Sequence, residues 1–203
     1  MCAALEYVAG MPHHISIESD LVSSLGRAAH DTAVGALVGG NLFARLAMHP
    51  SLAHISDPRE RGKVLNHSWR RYGTVNSAAL AAVVLGWAGA RLGEARPSLL
   101  SPRERRLALA KDAAVGAVAI TGIASAATGI RFARTAPDGA VPMQTGDVSS
   151  EGAGEEAQRL KKALNVLGSL HLASAITLAG VNAALSQANF RRPPARRLLR
   201  RSY

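Results

Sequence analysis

The stretch Val166 to Ala188 reads VLGSLHLASAITLAGVNAALSQA, 23 residues with neither a charge nor a proline. At 1.5 Å per residue, a helix of that length crosses a hydrocarbon core of about 30 Å. Its Ala, Leu, Val and Gly content favours a helix over the alternating pattern of a barrel strand. Two further stretches share this character: Tyr72 to Ala90 has 19 uncharged residues and Ala113 to Ile130 has 18. A fourth, Thr32 to Met48, reads TAVGALVGGNLFARLAM, but only the 13 residues from Thr32 to Ala44 are free of charge. That shorter length suits a buried core helix as well as a spanning one. Together the four predict an all-α fold, an integral membrane four-helix bundle with spans at about 32–48, 72–90, 113–130 and 166–188.

The flanks support this reading. Arg70 and Arg71 precede the second stretch and Arg91 follows it, Lys111 and Arg131 bracket the third, and Lys161, Lys162, Arg191 and Arg192 bracket the fourth. Trp69, Tyr72 and Trp87 fall near the ends of the second, where interfacial aromatics sit. The competing fold is a soluble helical bundle, but soluble helices carry a charged stripe and these three stretches have none. Charged residues make up 19% of the chain, against about a quarter in a usual soluble protein.

The net charge is +10, from 24 Lys and Arg against 14 Asp and Glu. On a membrane protein such an excess marks cytoplasmic loops and attraction to anionic headgroups. On a soluble one it would mark a nucleic-acid surface. With four spans both termini share a side, and that side carries 13 basic residues against 10 on the other. The bias points to cytoplasmic termini. The single cysteine, Cys2, excludes an internal disulfide and any Cys-based metal site. The first thirty residues contain Glu6, Glu18, Asp20 and three histidines and no apolar core of signal type, so insertion is expected to rely on the helices themselves.

Between and around the spans the chain divides into an N-terminal segment (1–31), the four-helix domain (32–190) and a basic C-terminal tail (191–203). Asp57-Pro58-Arg59-Glu60 and Ser101-Pro102-Arg103-Glu104 both read as helix starts, with a cap, a first-position proline and a Glu three residues after the cap. Residues 58–72 then form a short basic helix, either on the membrane surface or as an extension of the second span. Residues 136–154, APDGAVPMQTGDVSSEGAG, read as a flexible, solvent-exposed connection.

Polar groups inside apolar stretches are costly and so mark candidate sites. Asn41 and Arg45 lie four residues apart on one helical face, and His171 lies within the last span. The three are candidates to hold a lipophilic ligand between helices. The alternative is that they serve as helix–helix hydrogen-bonding groups, with Arg45 snorkelling to headgroups. Gly35 and Gly39 form a GxxxG pair, and Gly122 and Gly129 a similar ridge with Ala126, all expected as helix-packing positions. Seven histidines raise the question of a metal or haem. No HxxxH or ExxH pattern falls in a span, so no metal site is assigned. No catalytic triad, paired carboxylates or nucleotide fingerprint is present, and whether the chain catalyses a reaction stays open.

The segment GALVGGNLFARLAMHPSL, followed by a basic helix and three more apolar helices, resembles small bacterial four-helix membrane proteins of uncharacterised function. The layout, including Met48-His49-Pro50 at the end of a Gly-rich helix, is similar to the anthrone-oxygenase-like and copper-resistance D-like groups. The resemblance implies a bacterial inner-membrane location and carries over no catalytic position or cofactor. The expectation is therefore an accessory or structural membrane protein, assembling with itself or other subunits through small-residue ridges. Two rivals stand beside it: a membrane enzyme or binder of a lipophilic molecule, and a soluble basic helical protein that binds nucleic acid.

Overall fold

A computed structural model describes residues 13–190, with side chains from Ser24 to Asn189. Four long helices carry the fold: α1, His13–Phe43; α2, Pro58–Leu92; α3, Pro102–Ala133; and α4, Glu155–Phe190. Among the described residues no strand forms, and one isolated bridge pairs Met143 with Ser149. Three of the helices, α2, α3 and α4, are long and apolar enough to cross a membrane. The chain is thus a helical, membrane-associated protein. The basic tail predicted for residues 191–203 lies outside the described residues.

The helix starts follow the sequence signals. Asp57 caps α2 by accepting from Arg59 N at 2.9 Å, with Pro58 in the first turn where its missing N–H costs nothing. Ser101 and Glu104 form a reciprocal capping box on α3, with Ser101 N donating to Glu104 Oε2 at 2.8 Å. Residues 58–72 belong to α2 itself, as an extension of the apolar stretch. Likewise residues 13–31 are continuous with the first apolar stretch in one helix.

Helix α1 does not stop at Phe43. Its path continues through a π-helical turn, Ala44–Met48, then a short α-turn, His49–Ser51, and a 3₁₀ turn, Leu52–His54. Pro50 supplies the reason. A proline in a helix lacks its N–H and crowds the carbonyl four residues earlier, and a widened turn relieves both. In that turn His49 N–H bonds to Ala44 O, five residues back. The extra residue turns Arg45 and His49 toward the other helices.

The helices alternate in direction. The most extensive pairings are α3 with α4 and α1 with α2, followed by α1 with α4. One apolar core lies among the helices, around Leu37, Val83, Ala108, Val118, Ala175 and Leu178. Outside it the apolar stretches are half-buried or exposed: only 17%, 22% and 17% of the spanning windows of α2, α3 and α4 are fully buried.

A second core corrects the reading of residues 136–154 as solvent-exposed. Val141 and Met143 are 1% and 0% exposed, packed with Leu52, Leu65, Phe132, Ala153 and Ala157. The loop's polar composition concealed two apolar residues and a backbone with partners: Met143 N bonds to Pro58 O at 2.9 Å and Ser150 N to Pro142 O at 2.9 Å. Arg61 on α2 donates to the carbonyls of Ile55, Met143 and Gln144, stitching the loop to the helix. Gly62 permits that approach, because a Cβ there would overlap the Val141 carbonyl oxygen. Gly62→Ala is expected to lift the loop, and limited proteolysis should then cut within residues 136–154 faster than in the wild type. Equal cutting would show that the loop is not anchored at Gly62.

Candidate functional site

The folded-back loop builds a polar cluster at its end of the bundle. The π-helical turn brings His49 inward to 5% exposure, where both ring nitrogens find partners. Trp69 Nε1 lies 3.2 Å from His49 Nε2, and His49 Nδ1 lies 2.8 Å from Asp147 Oδ1. An indole N–H can only donate, so Nε2 is the acceptor and Nδ1 carries the proton given to Asp147. Trp69 meets His49 edge-on, with ring centroids 5.9 Å apart, and meets Tyr72 in the same manner at 6.0 Å.

The loop backbone completes the arrangement. Gly146 N donates to His49 O at 3.1 Å, and Asn165 Nδ2 donates to Asp147 O at 2.8 Å. A Cβ at Gly146 would overlap His49 Cα and Cβ, so only glycine fits there. Arg45 Nη2 donates to Ser169 Oγ at 2.8 Å and Asn165 O at 3.2 Å on α4. Lys161, just before the uncharged stretch of α4, is buried at 5% exposure. Desolvation pulls its ammonium down to about 8, with Asp147 opposing and Arg45 adding to the shift. Burial likewise lowers His49 below its ordinary value, against the pull of Asp147 and with the push of Lys161 and Arg45.

The opposite end, where α1 and α3 begin their apolar stretches, carries a second cluster. Trp87 Nε1 donates to Asp112 Oδ1 at 2.7 Å, Arg91 pairs with Asp112 at 3.1 Å, and Lys111 Nζ lies 4.3 Å from the Trp87 ring centroid. Lys111 also donates to Asn182 Oδ1. Asn182 Nδ2 in turn donates to Asp31 Oδ1 at 2.9 Å, and Arg27 pairs with Glu94 at 2.7 Å.

The three candidates nominated from sequence are not joined by any hydrogen bond to one another. Asn41 is buried and donates to Leu37 O on its own helix at 2.8 Å. Arg45 reaches α4, and His171, 3% exposed, faces Thr121 Oγ1 on α3 at 3.1 Å through Nδ1. Thr121 Oγ1 also lies 2.6 Å from Ala117 O, to which its proton goes, so it accepts from His171 Nδ1–H. His171 Nε2 is then a buried lone pair with no partner among the described residues. Gly122 seats the ring, since a Cβ there would come within 3.1 Å of His171 Cε1. A Cβ at Gly129 would reach Leu164 at 3.9 Å, whereas at Gly35 or Gly39 it would meet nothing within 4 Å.

Sequence reasoning missed Asp147, Lys161 and Asp31. Asp147 sat in a segment read as solvated, and Lys161 was read only as a flanking charge. The spacing of Lys161, Asn165 and Ser169 at every fourth residue was the available signal, since it places them on one face of α4. Among the described residues, no group of three His, Cys, Asp or Glu side chains is gathered to hold a metal ion.

The His49 arrangement works as a latch between α1, α2 and the loop, and it is stable only while the imidazole is neutral. A second ring proton would face the Trp69 N–H. Because the folded pKa lies below the ordinary 6.5, the unfolded chain takes up the proton first. This contribution to stability is therefore complete above about pH 6.5 and declines as the pH falls below it. In a Trp87→Phe background the Trp69 fluorescence is expected to titrate with a midpoint below 6.5. His49→Gln should abolish that transition. A transition that persists in His49→Gln would show that Trp69 senses some other group.

No protein-family model matches the chain, and neither a curated protein nor a solved structure matches it.

Proposed function

We propose that this chain is an integral membrane protein with four crossing helices and a structural or accessory role, working as a subunit within a membrane complex. The supporting observation is the contrast between belt and ends. Ile120 and Ile123, midway along α3, and Leu85, in the uncharged stretch of α2, are 71%, 63% and 70% exposed, while the charged groups and both tryptophans form their bonds towards the two ends. Water is a poor solvent for such a belt and lipid a good one. α1 joins the other three as a crossing helix by continuing through the π-turn, with Arg45 capped by Asn165 and Ser169. The expected setting is a bacterial inner membrane, with both termini on the cytoplasmic side and the basic surplus against anionic headgroups.

The structural role is favoured because the polar groups of the loop-end latch satisfy one another. Both ring nitrogens of His49 are bonded, and Arg45 Nη2 is bonded to Asn165 and Ser169 on α4. A second reading, a binder of a lipophilic molecule between helices, is favoured by the unpartnered Nε2 of His171. A soluble nucleic-acid-binding role is disfavoured by the exposed belt.

Fractionation with a carbonate wash tests the main reading. The protein is expected to stay with the membrane, and native mass spectrometry of the extracted material is expected to find partner subunits rather than a chromophore or metal. Release into the soluble fraction would overturn the spanning reading. A stoichiometric small molecule that His171→Leu removes would favour the second reading over the first.

A further inference from the structure

The loop-end cluster holds a buried positive charge that its neighbours do not answer. Lys161 is 5% exposed, yet its ammonium makes no hydrogen bond or ion pair among the described residues. Asn165, one turn along α4, gathers two charged groups beside it. Its carbonyl accepts from Arg45 Nη2 at 3.2 Å, and its Nδ2 donates to Asp147 O at 2.8 Å. Arg45 and Asp147 are thereby held at the face of α4 that carries Lys161. Both act on the ammonium, Asp147 in favour of its charge and Arg45 against it, with burial outweighing either. Burial pulls the ammonium only to about 8, so it keeps its proton at neutral pH.

The sum of charges selects the occupant. Two cations, Lys161 and Arg45, face one carboxylate, and the bond from Trp69 keeps His49 neutral. Asp147 commits Oδ1 to His49 Nδ1 at 2.8 Å and comes no nearer to Lys161 than beyond ion-pair distance. A buried ammonium is costly unless something negative accepts from it. Arg45 offers further donors, since its Nη1 and Nε make no bond among the described residues while Nη2 is held by α4. The loop lies close over this junction, with Gly146 packed on the His49 backbone. That closeness favours a compact anion over a lipid headgroup with its chains.

We infer that the junction of the π-turn, the loop and α4 is a binding site for one small inorganic anion, of the size of chloride or phosphate, held by the Lys161 ammonium and the Arg45 guanidinium. The site is a property of the folded cluster and stands whether or not the helices cross a membrane.

The test heats full-length protein in nonionic detergent at neutral pH and fixed sodium concentration, with gluconate replaced stepwise by chloride or, separately, by phosphate. Tm is expected to rise and level off, by about 4 °C once the anion is about tenfold above its dissociation constant. Lys161→Met should abolish the rise. In gluconate alone it should unfold no earlier than the wild type, because an apolar side chain then replaces a buried, unpaired charge. Lys162→Met makes the same change of charge at an exposed neighbour and should keep the rise. Asp147→Asn can still accept from His49 Nδ1 but loses the competing charge, so it should level off at lower anion concentration. No difference between gluconate and the two inorganic anions would overturn the inference, as would a rise that survives Lys161→Met. So would a Lys161→Met protein that is less stable in gluconate, because the ammonium would then be a structural partner of Asp147. A rise with added phosphatidylglycerol but with neither inorganic anion would overturn it too, giving the cluster to a lipid headgroup.

Discussion

The structure depends on where its apolar surface goes. A helix bundle in water buries its apolar stripe and shows charge outside, but here no more than 22% of any spanning window of α2, α3 and α4 is fully buried, and the exposed remainder carries no charge. In the proposed spanning arrangement, hydrocarbon around the belt removes the need for a thick protein core. Packing can then rest on small residues and a single layer of contacts around Leu37, Val83, Val118, Ala175 and Leu178. The scarcity of aromatics and the abundance of Ala and Gly follow from the same constraint.

Hydrocarbon cannot satisfy polar groups, so these move to the ends or bond within the bundle. Each end is organised around a tryptophan whose indole donates inward, Trp69 to His49 and Trp87 to Asp112, with a buried lysine beside it, Lys161 or Lys111. A tryptophan suits this depth because one edge is a donor while the rest of the ring is apolar. At the loop end the Trp69–His49–Asp147 chain also ties residues 142–150 onto the helices. At the other end, Lys111, Asn182 and Asp31 connect α3, α4 and α1 in series. The bundle is thus clamped at both ends, and between them it is held mainly by close contact.

The helices were legible in the sequence because their determinants are local: uncharged length, bracketing arginines and two capping motifs. The polar clusters were not, because they depend on which distant residues meet. Nothing in APDGAVPMQTGDVSSEGAG announces that Val141 and Met143 are buried or that Asp147 meets His49, 98 positions away. Met48-His49-Pro50 reads in the sequence only as the end of a Gly-rich helix, and the π geometry alone shows that the turn aims Arg45 at α4 and His49 at Trp69. Asn41, Arg45 and His171 were correctly seen as polar groups in apolar helices. Their partners Leu37, Asn165, Ser169 and Thr121 make each of them a local tie, and only His171 Nε2 is left over.

The claim that the belt lies in hydrocarbon is tested most directly by site-specific labelling in intact membranes. With Cys2 replaced by serine, single cysteines at Leu85, Ile120 and Ile123 would be compared with one at Asp138 on the loop. A membrane-impermeant maleimide should label position 138 from one side and leave the three belt positions unmodified until detergent is added. Labelling of the belt positions as fast as position 138 in intact membranes would contradict the account, because the exposed apolar faces would then be in water.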